Sequence, residues 1–359
     1  MGLQSLVITP DRIGKSLGRI LPHAMSKHCL GLLGMTEKQK KNTGTKTVYR
    51  RYLPKGATTS NPNQFFQNGT GDRTAAYVAQ HLTQDGVTPM AETLTPQDIE
   101  VEQKEHGFAY GFTNRTAEMS EDPIPKIMEE MLGDRIGLVR EMTLFGVLKG
   151  CTNKFYGGTG TSRATVNGRL TLQLLRKVER SLKANHSTPA RKLLRPIPAS
   201  GNYATAPTKA CYPVFVSSDL SPDVRDLPNF IDVSKYGNPA LAVENEIGSC
   251  EEFRFIWSPD LIPVQDSGAA VAGTVPALYS TSGTNADVYQ VVVGTEDAWG
   301  HLELDIGKND ISLLPAGQKD KTDILGQRGY VGAITKYNAV RLNEGQMAVV
   351  EVGASALTD

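Results

Sequence analysis

The 359-residue chain contains no uninterrupted apolar run of the length a bilayer requires, which excludes a membrane-spanning helix. It also lacks net charge: 38 Lys and Arg balance 38 Asp and Glu, so no general field draws it to phosphate. The one short basic run, Lys38-Gln39-Lys40-Lys41, has the size of an ordinary solvated face. Cysteines are few and far apart (Cys29, Cys151, Cys211, Cys250), with no CxxC spacing. The opening MGLQSLVITPDRIGKS is too weakly apolar for a signal peptide, so the thiols are expected free in a reducing compartment. Internal repeats and low-complexity blocks are lacking as well.

Catalytic signatures are equally scarce. The GKS at Gly14 to Ser16 has Thr9 where a phosphate loop needs its first glycine, and YGGTGTSR (Tyr156 to Arg163) carries no lysine. The histidines His23, His28, His81, His106, His186 and His301 are scattered. His23, His28 and Cys29 would make half a zinc site with no second cluster to complete it. No GxSxG, HExxH or DxDxDG pattern occurs. The expectation is therefore no enzyme, no metal and no cofactor.

What the chain does have is glycine (35) and proline (20), with aromatics at only 7%. That balance favours turns and long connections. The first 45 residues show no period of their own and suggest an arm. In Lys46 to Pro54, Val48, Arg50 and Tyr52 alternate with Tyr49, Arg51 and Leu53, a strand pattern. A polar excursion follows, with its strongest turn signal at NGTGD (Asn68 to Asp72). The chain returns as an extended run from Gln97 to Thr113. A polar connection of roughly forty residues is uncommon in a compact domain unless it binds something.

The clearest helix runs from Pro123 to Lys149, with Asp122 as N-cap and a stripe of Ile124, Ile127, Met128, Met131, Leu138, Met142 and Phe145. Lys149 and Gly150 suit its C-terminus, Gly150 as a left-handed cap. Gly133 and Gly137 suggest close packing or bending. A second helix is expected near Leu170 to Ala184, on Leu174, Leu175, Val178 and Leu182. Strand patterns follow at Tyr212 to Leu220, Cys250 to Ser258, Val288 to Trp299, Tyr330 to Asn343 and Gln346 to Ala354, with a helix or turn at Ser221 to Phe230.

ENEIGSCEEFRFIWSPDL (Glu244 to Leu261) sets Glu244, Glu246, Glu251 and Glu252 with Cys250 and Arg254 around a short aromatic strand. An acid/base pair, a metal nest and the polar edge of a sheet meeting another copy are all open readings. No histidine lies nearby in sequence. Charges at a strand entrance commonly blunt an edge or pair with a neighbour.

Five ordered segments carry a resemblance: LTQDGVTP (Leu82 to Pro89), EHG (Glu105 to Gly107), the helix from Pro123, VSSDLSPDVRDL (Val216 to Leu227) and ENEIGSCEEFRF (Glu244 to Phe255). In order and spacing, over about residues 45 to 350, they resemble the major capsid proteins of N4-like tailed phages. Departures are Gln84-Asp85 before Gly86, Ser217-Ser218 where His-Pro is common, and Glu252 in place of a glycine.

The resemblance implies an α+β, HK97-like major capsid fold. Residues 1–45 would be the N-terminal arm, 46–115 an extended β-hairpin loop, and 116–205 the peripheral domain with spine helix 123–149. Residues 206–305 would be the axial domain and 306–359 the return to the peripheral domain. It implies self-assembly as hexamers and pentamers into an icosahedral head shell enclosing the genome. Scaffolding, portal and decoration proteins would be partners, with packaged double-stranded DNA held non-specifically on the inner face and no membrane. The site would be the virion, with assembly in the bacterial host cytoplasm. Subunit contacts are expected at Arg50, Arg51, Asp72, Arg73, Arg225, Glu246, Glu251, Glu252 and Arg254. The alternatives are another phage structural protein, such as a tail tube or decoration protein, and a cytosolic enzyme using Glu244 or Glu246.

Overall fold

The computed structural model describes residues 29–40, 44–54, 57, 59, 62–63, 82–83, 85–88, 93–120, 123–196, 203–236, 245–271, 277–304, 310–319 and 323–357. Asp72, Arg73, His23, His28, Asp122, Glu244 and the GKS triplet lie outside them.

After a single 3-10 turn (Leu30–Leu32), the chain forms β1 (Met35–Gln39), β2 (Lys46–Leu53), β3 (Thr95–Glu102) and β4 (Glu105–Thr113). Helices α1 (Asn114–Met119) and α2 (Ile124–Leu148) follow, then β5 (Lys154–Tyr156) and α3 (Leu172–Ala184). The second half contains β6 (Ala190–Pro196), β7 (Tyr203–Ser217), α4 (Ser221–Arg225), β8 (Ile231–Asp232), β9 (Glu246–Cys250) and β10 (Phe253–Ser258). It ends with β11 (Tyr289–Val293), β12 (Trp299–Leu304), β13 (Asp310–Leu314), β14 (Arg328–Arg341) and β15 (Ala348–Val352).

An eight-stranded sheet has the order β5-β15-β11-β7-β10-β9-β8, with β6 paired to β7. Its central strands are apolar at nearly every position because both faces are covered, Gln290 and Glu351 being the buried exceptions in β11 and β15. On one face Val214, Val216, Val291, Val293, Val350 and Val352 meet Leu174, Leu175, Val178 and Leu182 of α3. On the other, Phe215, Val292, Val349 and Ile256 meet Leu144, Phe145 and Leu148 of α2, Trp299, and Leu30 and Leu33. The five-stranded sheet has the order β1-β12-β14-β13, with β4 also on β14. There Phe112, Val331 and Ala333 bury Met128, Leu132 and Ile136 from the first half of α2. One helix therefore belongs to two cores, which fixes the two sheets to a common rod of about 37 Å.

Several sequence expectations change. Inside α2 the buried positions are Met128, Leu132, Ile136, Glu141, Leu144, Phe145 and Leu148, whereas Met131 is exposed. The helix is flanked by Pro123 and closes on Lys149, and Gly150 is not left-handed. Instead the Arg341 guanidinium donates to the Val147 carbonyl (2.6 Å), filling the space a Gly150 Cβ would need. A Cβ on Gly133 would meet nothing within 4 Å, so that glycine reflects no close packing inside the subunit. The extended run from Gln97 splits into β3, paired with β2, and β4, paired with β14. Sheet membership also cuts across the expected domain boundaries. α3 and the last strand, β15, belong to the eight-stranded layer, while β12 belongs to the five-stranded one.

Candidate assembly surfaces

The segment 29–39, expected as part of a free arm, is built into the subunit. β1 adds in parallel to β12, from Met35 opposite Gly300 to Gln39 opposite Leu304. Ahead of it the Glu141 carboxylate, buried inside α2, accepts the backbone N–H groups of Cys29 and Leu30, each at 2.9 Å. The Leu33 carbonyl accepts from Trp299 Nε1 (2.9 Å) and from His301 Nε2 (3.0 Å). Because a carbonyl only accepts, Nε2 carries the His301 proton, and Nδ1 accepts from the Tyr337 hydroxyl at 2.9 Å. Burial holds the His301 pKa below its usual value, against the Leu33 hydrogen bond and the charge of Glu303. Gly34 has φ +116°, and a Cβ there would lie 2.7 Å from His301 Nε2 and from the Trp299 ring, so only glycine passes. Sequence reasoning missed this strap. Its one signal was an acid, Glu141, within the span of the helix's apolar stripe.

β2 and β3 form a two-stranded ribbon whose two faces differ. Thr47, Tyr49, Arg51 and Leu53 alternate as the covered face, and Leu53 and Val101 are buried. Arg51 donates to Gln97 Oε1 (2.7 Å) and to the Leu342 carbonyl (3.0 Å), so it roots the ribbon on its own subunit. Asn63 and Asn343 exchange amide hydrogen bonds close by. The open face shows Val48 and Tyr52, 48% and 60% exposed, beside Arg50. Arg50 clamps Asp98 through Nε (2.7 Å) and Nη2 (2.8 Å), and that hydrogen bond holds the Asp98 carboxyl below the usual range.

The glutamate-rich stretch divides into one sealed pair and two rim pairs. The Glu246 side chain is 0% exposed and that of Arg254 10%. Glu246 Oε1 accepts from Arg254 Nε (2.8 Å) and the Tyr236 hydroxyl (2.8 Å), and Oε2 accepts from Arg254 Nη2 (2.6 Å). The carboxylate oxygens are shielded from solvent within the subunit. Within the subunit Glu246 and the Arg254 fork are thus turned towards each other and Tyr236.

Glu251, in the left-handed region at φ 55°, pairs with Arg176 of α3, whose hydrogen bonds hold its pKa low. Glu252 accepts from Lys183 at 3.0 Å, which also binds Glu179. These two sit at the surface, tying the β9–β10 turn to α3. Arg225 is exposed at the end of α4.

A further buried carboxylate, Glu351 in β15, was not foreseen. Burial raises its pKa, and the Arg163 fork, Gln290 and Lys154 together outweigh that and lower it. Arg163 belongs to the YGGTGTSR loop, which thus closes on the sheet. All four cysteines are buried and none forms a disulfide. Among the described residues no group of three or more His, Cys, Asp or Glu converges, and no helix is long and apolar enough to cross a membrane.

No protein-family model matches the chain, and no curated protein does. Solved structures match along its whole length. The capsid of Ralstonia phage GP4 superposes with a TM-score of 0.61 at 13% identity, covering 99% of this chain and 100% of that one. The cyanophage Pam1 capsid asymmetric unit gives the same values, TM-score 0.61, 13% identity, 99% and 100%. The capsid structure of cyanophage P-SCSP1u gives 0.55 at 9% identity, covering 96% and 93%. The chain thus has the α+β, HK97-like fold of phage capsid proteins.

Proposed function

We propose that this chain is the major capsid protein of a tailed phage, self-assembling as hexamers and pentamers into the head shell that encloses the genome. The observation that carries the reading is the end-to-end match with capsid subunits, 99% of this chain against 100% of those from GP4 and Pam1. Fold alone does not give function. Two further features support a shell role. The β2–β3 ribbon leaves one face open, and two-stranded ribbons are marginal without further contacts. Of the glutamate-rich stretch, Glu246, Glu251 and Glu252 are held by Arg254, Arg176 and Lys183.

In this reading the five-stranded sheet with α2 is the peripheral domain, the eight-stranded sheet with α3 the axial domain, and β2–β3 the root of the extended loop. Arg50, Asp72, Arg73, Arg225, Glu251 and Glu252 meet neighbouring subunits. Scaffolding, portal and decoration proteins would act on the same shell, which matures in the host cytoplasm around double-stranded DNA. The N4-like branch rests on the ordered sequence segments alone.

Electron microscopy of the purified chain at low and high concentration tests the proposal. Closed rings or shells forming as concentration rises are the expected result. A monodisperse monomer at every concentration, with or without a co-expressed scaffold, would overturn it.

A further inference from the structure

Two uncovered apolar features of the five-stranded layer are a hollow and a knob. The hollow lies beside α2. β13 pairs with β14 alone among the described strands, with Ile311 opposite Ala333 and Leu313 opposite Val331. Residues directly opposite share a face of the sheet. Ile311 and Leu313 therefore point to the α2 side, where Val331 and Ala333 are buried with Leu132 and Ile136. Both are nevertheless exposed, so α2 does not reach over β13.

The flank of α2 that overlooks them carries a glycine. Tyr337 turns its N–H to the Lys104 carbonyl, beside β4, and Leu342 turns its own to the Ala298 carbonyl, beside β12. Successive residues of a strand point to alternate edges, so β12 lies on the edge of β14 opposite β4. β13 shares that edge, because β4 and β13 pair with the same stretch of β14. Arg140 of α2 reaches Thr335 of β14 and Glu303 of β12, which marks the helix flank on this side. Gly133 stands seven residues earlier, about two turns, and so on the same flank. A Cβ there would meet nothing within 4 Å. Ile311 and Leu313 as floor and Gly133 as wall thus leave an open apolar trough.

The knob is Ile324 and Leu325, in the turn that leads into β14. The Asp323 carboxylate accepts the Arg328 N–H (2.7 Å), and its carbonyl accepts the Gly326 N–H (3.1 Å). The Gly326 carbonyl accepts the Gly317 N–H (2.7 Å), and both glycines are left-handed, at φ 65° and 104°. On this fixed turn Ile324 and Leu325 stand 77% and 73% exposed, so their own subunit covers neither.

We propose that the Ile324–Leu325 knob of one copy seats in the α2–β13 trough of a second copy of this chain. The inference rests on the capsid reading and adds a specific contact to it. A knob and a hollow at different places on one chain make a heterologous contact, the kind that repeats around a ring. A knob already held by its turn has little ordering entropy left to lose on docking. Charge agrees with the pairing. Glu129 lies one turn before Gly133, whereas Lys319 and Arg328 stand exposed on either side of the knob. None of these three forms an ion pair among the described residues, and matched charge fixes register.

Because the positions are exposed, they accept disruptive changes without unfolding the subunit. Ile324→Asp with Leu325→Asp removes the knob, and Gly133→Leu fills the trough with a residue the helix favours. Circular dichroism should show both folded. Association, followed by analytical ultracentrifugation, should weaken about tenfold or more in either, and particle yield should fall. Crosslinking reads the contact itself. Leu325→Cys protein is mixed with Leu313→Cys protein and oxidised, so a new disulfide between the two variants joins different copies. The native cysteines are buried, and wild type supplies the background. The mixture should give a crosslinked pair, and each variant alone should stay at background.

Normal particles from the knob and trough variants, with no crosslink in the mixture, would overturn the contact and leave the capsid reading standing. Leu325→Cys protein that crosslinks to itself would also overturn it, by setting knob against knob. So would particle loss confined to Gly133→Leu and seen only with a co-expressed second protein, which would give the trough to that protein. A specific crosslink between subunits that never close into particles would support the contact and count against the capsid reading.

Discussion

Replacing Glu141 should release the strap at residues 29–33 before it disturbs anything else. The carboxylate is 4% exposed and accepts the N–H groups of Cys29 and Leu30 through one oxygen, both at 2.9 Å. Glu141→Leu removes the shared acceptor and leaves two buried donors without it, at about 1–3 kcal/mol each. The expected local cost is therefore about 2–6 kcal/mol. Glu141→Gln keeps an oxygen that can still accept both bonds and loses only the charge assistance, about 1 kcal/mol. Because α2 serves two cores, a single unfolding midpoint would blend several events, so amide hydrogen exchange is the better assay. In the leucine variant, protection at Cys29, Leu30 and the β1 amides should fall by roughly one and a half to four orders of magnitude, by the rule of about 1.4 kcal/mol per factor of ten. Amides of β11 and β15 should change little. Equal protection at Cys29 and Leu30 in wild type and the leucine variant would refute the latch, and so would an equal loss in the glutamine and leucine variants.

Four other outcomes follow from the same geometry. Glu246→Leu should destabilise the subunit by about 3–5 kcal/mol in urea titration because it strands the Arg254 charge, and E246L/R254L should recover much of that; equal costs would deny the sealed pair. Glu251→Lys with Glu252→Lys breaks two rim pairs worth about 0–1 kcal/mol each, so the thermal midpoint should move only a few degrees while particle yield falls. Gly34→Ala should unfold the strap through its clash with Trp299 and His301, whereas Gly133→Ala, facing open space, should stabilise the unassembled subunit by about 1 kcal/mol on denaturation. For His301, whose folded pKa is depressed below 6.5, the unfolded chain takes up the proton first; stability should be level above that value and decline as pH falls through it and towards the folded pKa, and His301→Gln, which keeps a donor for Leu33, should flatten that decline.

The parts of the fold that were legible in the sequence are those whose partners are local or whose environment is uniform. YPVFV, VYQVVV and AVVEV are apolar at nearly every position because the eight-stranded sheet is covered on both faces. The stripe of α3 was right because one helix meets one sheet. α2 was legible as a helix but not in its buried face. A stripe fitted to one core placed Met131 and Leu138 inward, whereas Leu132 and Ile136 turn to the five-stranded sheet and Leu144 and Leu148 to the other. β1 gave no signal at all, since an edge strand added in parallel is held by its backbone and buries only Gln39 among its five residues.

The glutamates show why the polar half of a site is harder to read than the apolar half. Apolar periodicity announces burial, but a carboxylate looks the same in sequence whether it is sealed, paired at a rim or free. Glu246 found its partner eight residues away in Arg254, yet Glu251 and Glu252 found theirs in α3, 75 and 69 residues earlier, and Glu141 found backbone more than 100 residues earlier. Net charge had suggested only that the chain does not grip DNA. A charge total therefore says nothing of which carboxylates are sealed inside the subunit and which stand paired at its rim.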